Sequence, residues 1–346
     1  MLRIKPEIIE GIHKVKERRG LYRYLQSAIE LEHSTIPPYL TAYYSLKPGL
    51  NDEVARLLRS VVIEEMLHMT IAANILISLG GRPAINHPDF VPDYPGPLPM
   101  GIGGDGFIVH IAPLSMPLIR DTFMVIEEPE QPIEVETLGG EAEDEAPTYR
   151  TIGEFYDALK QKLAELPPSD FGHVDRQVLS VFSPKETFPI VNARAANRAI
   201  DVIIRQGEGT STDPIDPDGE PAHYYRFGEI YYGCRLVRRK EKGRWTWTYD
   251  GEPIAFVSDG VFPMRPDPTA EQFPPGTRGR LLSDNFTAGY SAMLNALHES
   301  FNGHPDRIQA ALGLMMQLRF MAQTLMSTPL QRGQVATAGP VFKYTR

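Results

Sequence analysis

The run Val61-Val-Ile-Glu-Glu-Met-Leu-His-Met69 decides how the rest of the chain is read. Its apolar residues recur at helical spacing. Glu65 and His68 stand three residues apart, which puts a carboxylate and an imidazole on one helix face. Alone, such a pair reads equally well as a buried polar pair satisfied by hydrogen bonds. A second pair, with single glutamates on two further helices, makes it half of the dimetal-carboxylate constellation built inside four-helix bundles.

The preceding segment supplies the first partner. Residues 18–46 read as a helix, with Leu21, Leu25, Ala28, Ile29, Glu32, Ile36 and Tyr39 on one stripe. Glu32 therefore lies on the apolar face, whereas Glu30 falls with Arg23, Gln26 and Ser27 on a polar one. Pro37-Pro38 frees the carbonyl of His33, so the helix either kinks or bulges there or ends near 36. After the turn at Lys47-Pro-Gly-Leu-Asn51, capped by Asn51 or Asp52, a second helix covers 51–79. Gly80-Gly-Arg-Pro83 stops it. So short a connection predicts an antiparallel hairpin. Counted from Gly49, Glu32 and Glu65 lie almost equally far along their helices, each roughly 25 Å from the turn at ~1.5 Å per residue.

The second half repeats the pattern. A helix over 192–208 carries Ala196, Ile200, Ile203 and Ile204 on its apolar face, with Glu208 one turn further on. The turn-rich loop 209–219 leads to a helix over 220–232, with Pro221 in its first turn and Glu220 and His223 as the second Glu-x-x-His. Glu208 and Glu220 flank Pro214 symmetrically, so they also read as level.

Between the halves, 81–190 reads as an insertion covering the bundle. It holds a long loop at 86–106, a short strand at 107–111 and a helix at 116–127. An acidic mobile surface segment at 128–148 follows, then a helix at 151–166 with Thr151 capping and Glu154 at capping-box distance. Short strands at 234–237, 245–248 and 254–257 follow the second half. Helices at 283–301 and 304–326 close the chain, the last carrying Met315, Met316, Met321 and Met326 as core filler. The fold class expected is mainly α: a four-helix bundle with a long crossover insertion, short β segments and additional C-terminal helices, in one domain over 1–346.

The candidate metal ligands are Glu32, Glu65, His68, Glu208, Glu220 and His223. Carboxylates bridge divalent cations and offset their charge, and one imidazole per metal suits Fe or Mn over Mg or Ca. Buried carboxylates without basic partners on their stripes imply a cation. The expected cofactor is two divalent metal ions, iron first and manganese second. Asp201 and Glu229 are alternatives to Glu220 or lie behind it. Glu30, His33 and Glu64 lie nearby but off the stripe. Tyr39, Tyr224 and Arg226 are candidates either for a pocket lining or for packing.

Composition narrows the function classes. An apolar fraction of 42% supports a core, while a net charge of −9 and a pI near 5.6 argue against nucleic-acid or anionic-membrane partners. The basic run 238–244 reads as a solvated hairpin. Cys234 is the single cysteine, which excludes an internal disulfide and fits a reducing, cytoplasmic setting. The N-terminus has no leader pattern, and no run of ~18 apolar residues predicts a membrane span.

The runs Leu31-Glu-His-Ser-Thr-Ile-Pro-Pro-Tyr-Leu40, Glu64-Glu-Met-Leu-His68, Arg205-Gln-Gly-Glu-Gly-Thr210 and Ala222-His-Tyr-Tyr-Arg-Phe-Gly-Glu-Ile230 carry a family likeness. With Thr151-Ile-Gly-Glu-Phe-Tyr156 and Ala338-Gly-Pro-Val-Phe342, the chain resembles the ferritin-like, iminophenyl-pyruvate dimer synthase family. That family includes domains of the chromopyrrolate-type synthases of violacein and rebeccamycin biosynthesis. The resemblance implies a ferritin-like bundle with metal at the glutamates and histidines above. For the pigment-pathway relatives, which are longer chains, it implies oxidative coupling of two imines made from aromatic 2-oxo acids. The function expected here is a dimetal, diiron oxidoreductase acting on a small organic, amino-acid-derived imine substrate in secondary metabolism. The alternative is a metal-binding, iron-handling protein without organic substrate. The partners implied are a small molecule and dioxygen or peroxide, with room for a homo-oligomer.

Overall fold

The chain begins with α1 (Pro6–His13), which buries Ile9 and Ile12, and a 3-10 turn feeds α2 (Tyr22–Tyr44). α2 runs through both prolines instead of ending near 36. Pro38 has no N–H for the carbonyl of Ser34, four residues back. The Tyr94 hydroxyl donates to that carbonyl at 2.7 Å, so the insertion satisfies the helix it covers. In this computed structural model the described residues are 4–129, 132, 135–136, 152–207, 209, 213–216, 218–241 and 244–346.

α3 (Asp52–Ser78) packs along α2, as the short connection predicts. It ends at Gly80, whose φ of +86° closes the last turn. Asn51 occupies the N-cap position without capping. Its side chain is spent on Val257, donating to the carbonyl at 3.0 Å and accepting from the N–H at 2.8 Å. Those bonds also remove Val257 from strand pairing, and 254–257 is irregular rather than a strand. By length and hydropathy α3 is apolar enough to cross a bilayer, but 83% of that window is buried within the fold, as in a core helix.

The expected strand at 107–111 reduces to one bridge between Gly96 and Val109. The helix expected at 116–127 is present in three joined parts: α4 (Met116–Leu118), a π-helical turn at Ile119–Phe123, and α5 (Met124–Ile126). The irregularity expected near Pro37 is thus found here instead. α6 (Ile152–Ala164) follows. Its expected cap, Thr151, and most of the acidic stretch 128–148 lie outside the described residues.

α7 (Ala193–Gly207) matches its expected extent, but α8 (His223–Tyr232) starts three residues later than expected. Glu220 and Pro221 belong to a loop. The Glu220 N–H donates to Asp216 Oδ1 at 3.0 Å, its carbonyl accepts from the Asp216 N–H at 2.8 Å, and Pro221 bridges Ile215. With its backbone used this way, Glu220 cannot share a helix face with His223.

A small sheet in the order β1-β3-β2 joins β1 (Val135–Glu136), β2 (Cys234–Glu241) and β3 (Arg244–Pro253). β2 and β3 form the expected hairpin with longer strands. α9 (Arg278–Phe301) and α10 (Ile308–Met326) pack on each other and close the fold. Of the four methionines read as core filler, Met326 is buried, but Met316 is 55% exposed. Buried apolar side chains from the bundle, the insertion and the closing helices make one contiguous cluster.

The insertion is pinned beside the bundle by Asn74 of α3. Its side chain donates to the Val178 carbonyl and accepts from the Val178 N–H, both at 2.8 Å and both buried. Asn74→Ala leaves that backbone pair without partners, and chemical denaturation should show a loss of about 1–3 kcal/mol.

Candidate metal centre

α2, α3, the end of α5 and the start of α8 bring five titratable side chains into one buried cluster. Glu32 comes from α2, Glu65 and His68 from α3, Glu127 from the residue after α5, and His223 from the first position of α8. All five are less than a tenth exposed, and His223 is fully buried. Two overlapping groups of potential donor atoms result, Glu32/Glu65/His68 and Glu65/Glu127/His223, each within 4.8 Å of one another, with Glu65 common to both.

The carboxylates are oriented in the same way. Each has one oxygen held by a hydroxyl: Tyr156 donates to Glu32 Oε1, Thr35 to Glu65 Oε2 at 2.8 Å, and Tyr39 to Glu127 Oε1 at 2.5 Å. The other oxygen of each faces imidazole Nδ1 atoms. His68 Nδ1 lies 3.6 Å from Glu32 Oε2 and 3.8 Å from Glu65 Oε1. His223 Nδ1 lies 2.8 Å from Glu65 Oε1 and 3.4 Å from Glu127 Oε2. The two rings stack with centroids 5.4 Å apart.

The outer ring nitrogens settle the tautomers. Glu64 is paired with the fully buried Arg226 guanidinium and accepts from His223 Nε2 at 3.0 Å. A carboxylate only accepts, so His223 Nε2 carries the proton. Gln206 donates its amide to Glu186 at 3.0 Å, which turns its carbonyl oxygen toward His68 Nε2, also at 3.0 Å. His68 Nε2 is therefore the donor as well. Both Nδ1 atoms face the carboxylates, and His223 Nδ1 is buried without a hydrogen-bond partner despite its close approach to Glu65. Among the described residues no lysine or arginine pairs with Glu32, Glu65 or Glu127. Donor atoms bound about 2.0–2.2 Å from one ion crowd together in this way, and the orphaned Nδ1 with its facing oxygens fits a divalent cation.

Without a cation, protons must do the compensating. Burial, then repulsion from Glu127, pushes the Glu65 carboxyl up to about 7. Burial opposes the imidazolium of His223, but Glu127, Glu64 and Glu65 outweigh it and raise it well above the usual histidine range. Burial likewise opposes charge on His68, and Glu32 and Glu65 raise it all the same. Glu64 behaves in the opposite sense: burial is overcome by His223 and Arg226, and its carboxyl falls to about 2.

A pocket of about 480 Å³, its open mouth included, reaches Glu32, Glu65, His68 and Glu127. Leu31, Ile126, Ile203 and Ile204 form much of its apolar wall, and Tyr156 lines it too.

The structure thus gathers Glu32, Glu65, His68 and His223 of the expected set. Glu208 lies outside the described residues; its neighbour Gly207 lines the pocket. Glu220 is exposed in its loop and is not among the clustered donors. Asp201 pairs with Lys160, and Glu229 binds Arg235 and the Leu236 N–H, so neither takes its place. Arg226 lies behind His223 rather than in the pocket wall. Of the residues set aside, Glu30 pairs with Gln26, His33 binds Tyr290, and Glu64 orients His223. Glu127 is the member the sequence reading lacked. It falls four residues after buried Phe123 and eight after buried Ile119, the same kind of spacing that singled out Glu32.

Residues 25–232, more than half of the chain and including every residue of the cluster, match the family model described as Ferritin-like. Among solved structures, a ferritin-like protein from Caulobacter vibrioides is similar, with a TM-score of 0.62 and 23% identity, covering 93% of this chain and 97% of that one. At that identity the likeness bears on fold. No curated protein matches.

The proton-holding cluster sets a pH dependence. A carboxyl raised to about 7 stabilises the metal-free fold fully below its ordinary value of 4.5 and loses that contribution as pH rises through about 7. His223, raised above 6.5, acts in the same direction at higher pH. Melting temperatures of metal-free protein should therefore fall between about pH 5 and about pH 8, and Glu65→Gln should flatten the profile. An unchanged slope in the variant would show that Glu65 is not the group responsible.

Proposed function

The chain belongs to the Ferritin-like family, and from that premise we propose that its buried cluster holds two divalent metal ions, iron by preference, in an oxidoreductase acting on a small organic substrate. The observation that carries this reading is the shared Glu65 between two histidine-containing groups, with His223 Nδ1 left unpartnered among carboxylate oxygens. Glu32 and His68 hold one ion, Glu127 and His223 the other, and Glu65 bridges them. Glu208, which follows a residue of the pocket wall, is a further candidate ligand. Iron bound in such a site supplies one-electron redox chemistry toward dioxygen or peroxide.

The chain's own residues do the rest. Tyr156, Thr35 and Tyr39 fix the carboxylate orientations by their hydroxyl bonds. The stem of the pocket is aliphatic, so it excludes water and accepts the apolar body of a small molecule beside the donors. That pocket favours an enzyme over an iron-handling bundle, which needs no organic site. By family resemblance, the substrate class is an amino-acid-derived imine and the reaction its oxidation or oxidative coupling.

Metal analysis of protein made under iron-replete conditions tests the reading. About two ions per chain are expected. Glu65→Ala should lose both and His68→Ala about one. No metal in the wild type, or full metal in both variants, overturns the assignment. Turnover of a candidate aromatic imine by the reduced, metal-loaded protein in air supports the enzyme; oxygen consumption without product, across imines and amino acids, favours iron handling.

A further inference from the structure

We infer that the two halves of the centre are unequal and fill in order, the His223 half first and the His68 half second, because Glu64 and Gln206 hold the two imidazoles with different chemistry. This rests on the dimetal reading above. By ligand type the halves are matched: each has one imidazole, one carboxylate of its own and a share of Glu65. The difference lies one shell out.

His223 gives its Nε2 proton to Glu64, an ionised carboxylate. Arg226 fixes that carboxylate with bonds of 2.8 and 3.2 Å, and is itself held by Ser60 Oγ and the Pro221 carbonyl. Arg226 is fully buried, so the whole assembly is rigid and dry. A hydrogen bond to a charged acceptor is roughly twice as strong as a neutral one, and it makes the facing Nδ1 a better donor to a metal.

His68 gives its Nε2 proton to Gln206, a neutral amide. Gln206 leans on Glu186, and both line a surface pocket with Lys185, Arg198 and Asp201. Its acceptor is weaker and its anchor faces solvent. Glu64 and Gln206 are thus positioning residues that set the order of loading without touching the ions.

Anaerobic titration of metal-free full-length protein with cobalt(II), followed by calorimetry and visible absorbance, tests this. The wild type should bind two ions in two steps at least tenfold apart. His68→Ala should remove the weaker step, and His223→Ala the tighter. Glu64→Gln should weaken the tighter step by roughly 10–100-fold and spare the other. Exchanging amide and carboxylate by Gln206→Glu together with Glu186→Gln keeps the bond and the charge, and should strengthen the weaker step toward the tighter one. If Glu64→Gln does not fold, as judged by circular dichroism, the exchange variant decides alone. Two equal steps in the wild type, or an exchange that leaves the weaker step unmoved, overturns the inference. Absence of any binding by the wild type would instead defeat the dimetal reading beneath it.

Discussion

Three carboxylates and two imidazoles sit together where water does not reach, and the rest of the structure answers to that fact. Like charges in a poorly screened interior repel strongly, and burying one without compensation is costly. Glu65 bears most of this, since both histidines and both other glutamates converge on it. Hydroxyls of Thr35, Tyr39 and Tyr156 each take one oxygen of a different carboxylate. What remains is a ring of oxygens and ring nitrogens facing one another, which only protons or a cation can stabilise.

The insertion is part of this arrangement, not a cover laid over it. It supplies Glu127 and Tyr156 directly, and Tyr94 satisfies the carbonyl that Pro38 exposes in α2. α2 can therefore pass two prolines without breaking, and Glu32 keeps its level with Glu65. The docking of Val178 on Asn74 ties the same insertion to α3 three helical positions past Ile71, below the cluster.

The hairpin of α2 and α3 was legible because its signals are local. Periodicity places Glu32, Glu65 and His68 on buried stripes, and a short turn sets their level. His223 was also found, though by an argument only partly sound. The spacing of Glu220 to His223 matched a helical face, but the Asp216 loop claims the Glu220 backbone and leaves that side chain exposed. Glu127 was missed because it opens an acidic run, Glu127-Glu128-Pro-Glu130, which reads as solvated. What makes it inward-facing is contact with Tyr39 and His223, both remote in sequence, and no local pattern carries that. The same holds for Gln206 and Glu64, whose roles depend on which imidazole they meet. The 116–127 helix was legible; its π turn was not, since a π turn differs from an α turn by packing rather than by composition.

That π turn at Ile119–Phe123 accommodates one more residue than an α turn would over the same rise. Each residue of an α-helix turns the chain by about 100°. Losing a single codon within this stretch would restore a regular helix and swing Glu127 away from His223 while leaving the helix itself well formed. The reading frame of one helical turn thus separates a chain that keeps its fold with the full donor set from one that keeps the fold alone.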